Sequence, residues 1–140
     1  MRVFKTKEFV RFARKERISD SDLCAAIRRA ARGLVDAELG GGLIKQRIPR
    51  KGQGRSGGFR TIIAYRRGDR SFFIYGFAKN EMDNIADNDL ETVKKYAAAL
   101  MALNDELIFA ALQAKKIEEV MCDAKEVQKQ NRWCDAPFDS

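Results

Sequence analysis

From residue 43 to residue 78 the period of the sequence pattern changes to two, which fits extended strands and does not fit a helix. Arg67-Gly68-Asp69-Arg70 has the composition of a hairpin turn between the last two strands. Because the links between the strands are short or loop-like, we expect antiparallel pairing. The predicted strands are Leu43–Ile48, Phe59–Arg67 and Ser71–Ala78.

Helical spacing appears on both sides of these strands. Ser19 is a good N-cap for a helix that should end at Gly33, and Asn88 with Glu91 reads as a capping box for a later helix. We therefore predict an α+β fold: a small, mainly antiparallel sheet, two N-terminal helices and a C-terminal helical extension. We place one domain at 1–116 and a tail at 117–140. The flanking predictions are a strand at Arg2–Thr6, helices at Lys7–Lys15 and Asp105–Ala114, and a short strand from Ile117.

The charge of the chain is unevenly divided. Residues 1–80 hold 20 Lys/Arg and 7 Asp/Glu, a net charge of +13, whereas residues 81–140 hold 7 and 13, a net charge of −6, within a formal total of +7. Between Lys45 and Arg70 there are nine cationic residues and a single acid, Asp69. A sheet that carries cations beside aromatic residues is well suited to binding a polyanion such as a nucleic acid.

Composition excludes several other classes. A chain of 140 residues is long enough for one domain with a real core. No apolar run approaches the ~20 residues of a membrane span, and the charged N-terminus lacks a signal-peptide core, so we expect a cytoplasmic protein without a membrane partner. Cys24, Cys122 and Cys134 are an odd number, which predicts reduced thiols.

Histidine is absent from the chain. Without histidine, and without closely spaced cysteines, we expect no metal site and no cofactor. The absence also removes the usual proton shuttle near neutral pH, so an enzyme of this sequence would depend on other groups for proton transfer.

A glycine-rich loop joins the first two predicted strands. Gly52-Gln-Gly54-Arg-Ser-Gly57 matches the letters G-x-G-x-x-G, but a dinucleotide site needs that turn to open a helix, and here it links strands. We interpret it as a loop whose cations, Arg50, Lys51 and Arg55, close over a phosphate backbone. The alternative is a solvated charged loop, and the lack of any acid in it favours phosphate binding.

Alternation along each strand assigns side chains to faces. On the second strand, Arg60 and Arg66 should share one face and Tyr65 should lie on the other. The third strand should place its aromatic residues in one row, which Lys79 continues and Glu81 follows. A Lys/Glu pair at a strand end can tune each partner's proton affinity. That row is Phe73, Tyr75 and Phe77.

The string GQGRSGGFRTIIAYRRGDRSFFIYGFAKNEMDNI resembles the sheet region of RelE-like bacterial toxins, in the HigB-type branch of the RelE/ParE superfamily. The resemblance covers roughly residues 1–103 and extends to the order of strands and helices. It implies a small, metal-free endoribonuclease that enters the ribosomal A site and cuts mRNA. It also implies a neutralising antitoxin, HigA-like and carrying a helix-turn-helix domain.

The resemblance assigns roles to individual residues. Arg60 matches the arginine that holds the scissile phosphate, and RNA supplies its own nucleophile, the 2′-hydroxyl. Tyr65 and Tyr75 are either core residues or platforms for a base. Lys45 and Arg47 resemble the family's basic pair and Lys79 its strand-end lysine, whereas Glu81 is a candidate from its place beside Lys79. The candidate catalytic residues are Lys45, Arg47, Arg60, Lys79 and Glu81. The candidate RNA-binding residues are Arg50, Lys51, Arg55, Arg66, Tyr65 and Tyr75.

Two departures from the family pattern leave the general acid and base open. Asn80 stands where RelE has an arginine, and Ile85 stands near the place of a tyrosine that RelE uses. Lys45 or Lys79 could take the first proton, with Glu81 as rival. The alternatives to a nuclease are a ParE-like inhibitor of DNA gyrase and a nucleic-acid-binding module without catalysis.

Overall fold

A computed structural model describes residues 1–50, 54–78 and 87–122, with the backbone alone described at 50, 54–57 and 87–88. These residues form one sheet of order β2-β3-β4-β5-β1-β6, in which β1 and β5 are parallel and the other neighbours antiparallel. The predicted α+β fold with a mainly antiparallel sheet is confirmed. The elements are β1 (Arg2–Thr6), α1 (Lys7–Glu16), α2 (Asp20–Ala31), β2 (Ala37–Gly40), β3 (Leu43–Arg50), β4 (Gly54–Tyr65), β5 (Arg70–Ala78), α3 (Asp87–Met101), α4 (Asp105–Gln113) and β6 (Ile117–Val120).

The helices cover the sheet from both sides. We call the face that packs against α1 and α2 the rear face, and the face that packs against α3 and α4 the front face. Each has its own apolar cluster, because alternate strand residues point to opposite sides. The rear cluster includes Phe9, Leu23, Ile27, Ile44, Ile48, Ile63 and Phe73. The front cluster includes Phe4, Leu43, Ile62, Phe72, Ile74, Val93 and Ile108.

The helix ends follow the local sequence. Ser19 caps α2 as predicted, since its hydroxyl accepts from the Asp22 N–H and the Asp22 carboxylate accepts from the Ser19 N–H. The chain leaves α2 through Gly33, whose φ of +83° lies in the left-handed region that glycine tolerates. The predicted cap at Asn88 is wrong, because α3 already begins at Asp87.

The cysteine prediction also needs correction. Cys24 on α2 and Cys122, just after β6, form a disulfide with their Cα atoms 5.5 Å apart. Counting cysteines could not anticipate it, because 98 residues separate the two along the chain and only the packing of α2 beside β6 brings them together. The disulfide lies at the rear cluster, where Cys24 is buried. The third cysteine, Cys134, lies outside the described residues.

Two glycines allow close packing around β4 and β5. A Cβ at Gly58 would lie 2.6 Å from the backbone oxygen of Ile48, so only glycine lets β4 approach β3 there. A Cβ at Gly76 would overlap the ring of Phe12. The Phe12 ring of α1 therefore lies directly against the β5 backbone on the rear face.

The short strand predicted from Ile117 is confirmed, because β6 pairs with β1 at the edge of the sheet. The division at 116 remains a prediction, although the sheet itself extends to Val120. Residues 123–140 of the predicted tail lie outside the described part of the chain. None of the helices that the structure describes is both long enough and apolar enough to cross a membrane.

Candidate nucleic-acid interface

Cations from two strands meet on the front face. Arg47 of β3 lies directly opposite Arg60 of β4, and Lys45 lies in the same strand row as Ile62 and Tyr75. Residues that are directly opposite in a sheet share a face, with Cβ atoms about 5 Å apart. Positions 45 and 47 are separated by about 7 Å along β3. The residues Lys45, Arg47, Arg60 and Tyr75 form what we call the cationic patch.

The pairing of Arg47 with Arg60 is electrostatically unfavourable. Like charges directly opposite each other destabilise a sheet. Arg60 is half-buried and, among the described residues, its guanidinium has no hydrogen-bond or ion-pair partner. A cation held in this way gains most from an anion that binds between the two arginines.

A β-bulge places Tyr75 in the patch. The pairing of β4 with β5 shifts between Ile62 and Ile63, so that Ile74 is an extra residue in β5. The predicted single row of β5 aromatics is therefore wrong: Phe73 belongs to the rear cluster, whereas Phe77 belongs to the front cluster. Tyr75 lies opposite Ile62 and is 38% exposed, so its ring is accessible beside the cations.

Arg47 is held from behind by the segment that precedes β2. The Asp36 carboxylate accepts from the Arg47 N–H at 2.6 Å and lies 3.7 Å from its Nε atom. Arg29 of α2 donates to the carbonyl oxygen of Arg47. These contacts fix the strand and one side of the guanidinium, and they leave about 45% of the Arg47 side chain exposed.

The segment itself is anchored by a buried amide. Gln46 is fully buried on the rear face, where its oxygen accepts from the Asp36 N–H at 2.8 Å. Its Nε2 donates to the carbonyl oxygens of Ala26 and Leu34 at 3.0 and 3.2 Å. Sequence reasoning missed both Asp36 and Gln46. The available signal was weak: Asp36 is an isolated acid between α2 and the basic strands, and Gln46 is the polar residue at an inward position of β3.

Two candidates do not join the patch. Tyr65 packs against the rear cluster, on the opposite side of the sheet from Arg60, as the alternation predicted. Arg66 follows β4 at the hairpin turn, where it pairs with Asp69 at 3.2 Å. Arg66 is six positions along the chain from Arg60, a distance of about 20 Å in an extended strand. Neither residue can contact an anion that binds at Arg60.

The remaining candidates lie wholly or partly outside the described residues. Lys51, Lys79 and Glu81 lie outside the described residues, and of Arg50 and Arg55 only the backbone is described. Their roles remain predictions. Within 1–50, 54–78 and 87–122 no three His, Cys, Asp or Glu side chains are grouped as metal ligands.

Fold and surface together define a small three-layer α+β protein with a cationic patch on one face of its sheet. Over residues 1–120 the chain matches the family model described as the RelE toxin of the RelE/RelB toxin–antitoxin system. The chain therefore belongs to the RelE toxin family. No curated protein matches the sequence. Membership makes the chain a toxin of a type II toxin–antitoxin system, with a cognate antitoxin as its partner.

Proposed function

We propose that this toxin is a metal-independent endoribonuclease of the HigB-type branch that cuts mRNA in the ribosomal A site. The observation that carries the proposal is the half-buried Arg60 guanidinium, held opposite Arg47 with no partner among the described residues. A gyrase inhibitor needs no such anion site, since it acts by binding a protein. A phosphodiester at this position would relieve the repulsion between the two arginines.

The chemistry that the patch supports is phosphoryl transfer within the RNA. The 2′-oxygen attacks the adjacent phosphorus and the bond from phosphorus to the 5′-oxygen breaks, which gives a 2′,3′-cyclic phosphate and a free 5′-hydroxyl. Arg47 and Arg60 neutralise the charge that develops on the phosphorane oxygens. Tyr75 provides an exposed ring on which a neighbouring base can stack.

Two protons must move in this reaction. One leaves the 2′-hydroxyl, and one reaches the departing 5′-oxygen. Lys45, in the patch, and Lys79, which follows β5 in the sequence, are the proposed groups for the first proton, with Glu81 as rival. Each of these residues would be replaced by methionine or glutamine, and single-turnover cleavage would be measured at several pH values. The residue that accepts the proton of the 2′-hydroxyl is the one whose substitution alters the pH profile of cleavage.

The decisive experiment is incubation of the purified toxin with translating ribosomes, followed by mapping of the mRNA ends. We expect cuts at defined positions in the A-site codon, with cyclic phosphate at the upstream end. Cleavage should continue after a chelator removes free divalent ions under conditions that leave the ribosomes intact. Intact mRNA combined with inhibited DNA supercoiling by gyrase would instead support a ParE-like function.

We propose a HigA-like antitoxin with a helix-turn-helix domain, and a cytoplasmic site of action beside the ribosome. Bulk exclusion from the A site is our preferred means of neutralisation. It predicts that charge reversal at Lys45, Arg47 and Arg60 leaves antitoxin affinity unchanged. Direct masking of the patch predicts a loss of several kcal/mol, as for interfacial ion pairs, and titration calorimetry distinguishes the two.

A further inference from the structure

A groove opens beside the cationic patch, next to the part of β3 that follows its pairing with β2. Its volume is about 460 Å³, within the range of small-ligand sites. Among the described residues, three apolar side chains form its walls, Leu34, Val35 and Pro49, and three charged side chains also line it, Arg29, Asp36 and Arg47. Leu34 is 56% exposed, which is unusual for a large apolar residue.

Hydrogen bonds hold two of the residues that line this groove, Leu34 and Arg29. The Leu34 N–H donates to the Arg29 carbonyl at 2.8 Å, and its own carbonyl accepts from the buried Gln46 amide. Arg29 in turn donates to the backbone of Arg47. The groove is therefore built by the same contacts that position the patch, and its shape should not depend on a ligand.

Arg47 belongs to both surfaces. It lines the groove, and it lies opposite Arg60 in the patch. An RNA strand whose phosphate lies between these arginines would have its next nucleotide at the groove. Bases extruded from a stack bind between apolar side chains and on guanidinium planes, and the groove offers both.

We infer that this groove is a nucleotide subsite, which takes the base of an unpaired RNA nucleotide flanking the scissile phosphate. The inference rests on the proposed nuclease function. The groove combines apolar walls with two arginines, Arg29 and Arg47. This combination favours a nucleotide over an apolar peptide helix, because the cations complement the phosphates on either side of the base.

The test uses ribosomes programmed with an mRNA whose cut site has been mapped, and a set of the same mRNA with one abasic nucleotide at each flanking position. Leu34→Glu and Pro49→Glu each add a negative charge to a groove wall at an exposed position. Leu107→Glu is the matched control, because Leu107 is 52% exposed on α4 and does not line the groove.

For the wild type we expect single-turnover cleavage to fall about tenfold with one abasic position, as for the loss of a stacked base. Both groove variants should cut intact mRNA about tenfold more slowly than the wild type, and an abasic nucleotide at that one position should not slow them further. Leu107→Glu should behave as the wild type. Wild-type melting temperatures would show that the variants fold.

The outcomes separate the two proposals. If the wild type cuts no mRNA, the nuclease function fails and the subsite fails with it. If the wild type cuts, but the groove variants match Leu107→Glu or add their loss to every abasic position, the subsite alone is wrong. Loss of antitoxin binding with unchanged cleavage in the groove variants would assign the groove to the protein partner and would also overturn the inference.

Discussion

Successive residues of β3 and β4 point to opposite faces of the sheet, and around residues 45–47 and 60–61 the two faces differ in polarity and charge. On the rear face Gln46 and Thr61 are fully buried and hydrogen-bonded, among apolar neighbours. On the front face Lys45, Arg47 and Arg60 are brought together despite their like charge. At these positions the rear face stabilises the fold, and the front face, which is apolar at Leu43 and Ile62, gives up stability only where Lys45, Arg47 and Arg60 meet, for a surface that can bind an anion.

The largest expected effect is that of Arg60→Ala on cleavage. Removing one group that stabilises the transition-state charge typically costs about 10²–10³-fold in rate. The free energy of unfolding should stay the same or rise slightly, because the repulsion of Arg47 is removed. Single-turnover cleavage and chemical denaturation would measure the two effects.

Arg66→Ala is the matched control for that experiment. Arg66 follows the same strand but lies at the hairpin turn, paired with Asp69. The Arg66→Ala variant should therefore cleave mRNA at nearly the wild-type rate. If Arg60→Ala and Arg66→Ala lose activity equally, the cationic patch has no special role in cleavage, and the front face is not a specific anion-binding surface.

Reduction of the Cys24–Cys122 disulfide should weaken the rear face. A disulfide typically contributes about 2–4 kcal/mol, chiefly by restricting the unfolded chain. A cytoplasmic location would expose this bond to thiol reductants. We expect the free energy of unfolding to fall by that amount in dithiothreitol, with cleavage at low temperature unchanged. Cys122→Ser should show the lower stability with and without reductant, and an equal effect of reductant on this variant would contradict the assignment.

Gln46→Leu should destabilise the fold through the groups that it leaves unpaired. Three hydrogen bonds are made by this amide, and two of them are only part-buried. A fully buried group without a partner costs about 1–3 kcal/mol and a part-buried group costs less, so we expect a loss of about 2–4 kcal/mol. Thr61→Val removes a single bond to the Gln46 carbonyl and should cost about 1 kcal/mol. Urea denaturation measures both losses, and equal values would show that the Gln46 anchor is unimportant.

The smallest effect concerns pH and the helix over the front face. Burial, with added contributions from Glu8 and Tyr75, raises the pKa of the Tyr96 hydroxyl above its ordinary 10.0. The folded chain therefore holds this proton more tightly than the unfolded chain. The corresponding stability is present below pH 10.0 and is lost as the pH rises through the folded pKa. Tyr96→Phe should flatten the alkaline decline in the free energy of unfolding, and an unchanged slope would place Tyr96 in solvent.

Most of the fold could be predicted because it depends on local patterns. The strand period, the Ser19 cap and the Arg67–Arg70 turn all act within a few residues. The disulfide could not be predicted, since it depends on two elements that meet only in the folded chain. The edge strand β2 was also missed, because its four residues alternate too briefly to show a period.

The sequence was enough to predict which cations belong to the site, but it was less reliable for the face of the sheet on which each side chain lies. Alternation placed Arg60 and Tyr65 on opposite faces, but the bulge at Ile74 moved Phe77 away from the face of Phe73. A glycine inside a strand often marks such a bulge, so Gly76 was the available signal. The roles of Lys79 and Glu81 remain predictions.

The contact between Phe12 and the bare backbone at Gly76 has a consequence for how this family can diverge. The two positions share one small volume, so neither can enlarge alone. In relatives that keep phenylalanine at position 12, position 76 should stay glycine, and an alanine there should occur with a smaller residue on the helix. Residues at these two positions should therefore vary together among relatives, and this pairing would show that α1 packs on the sheet in the same way in each of them.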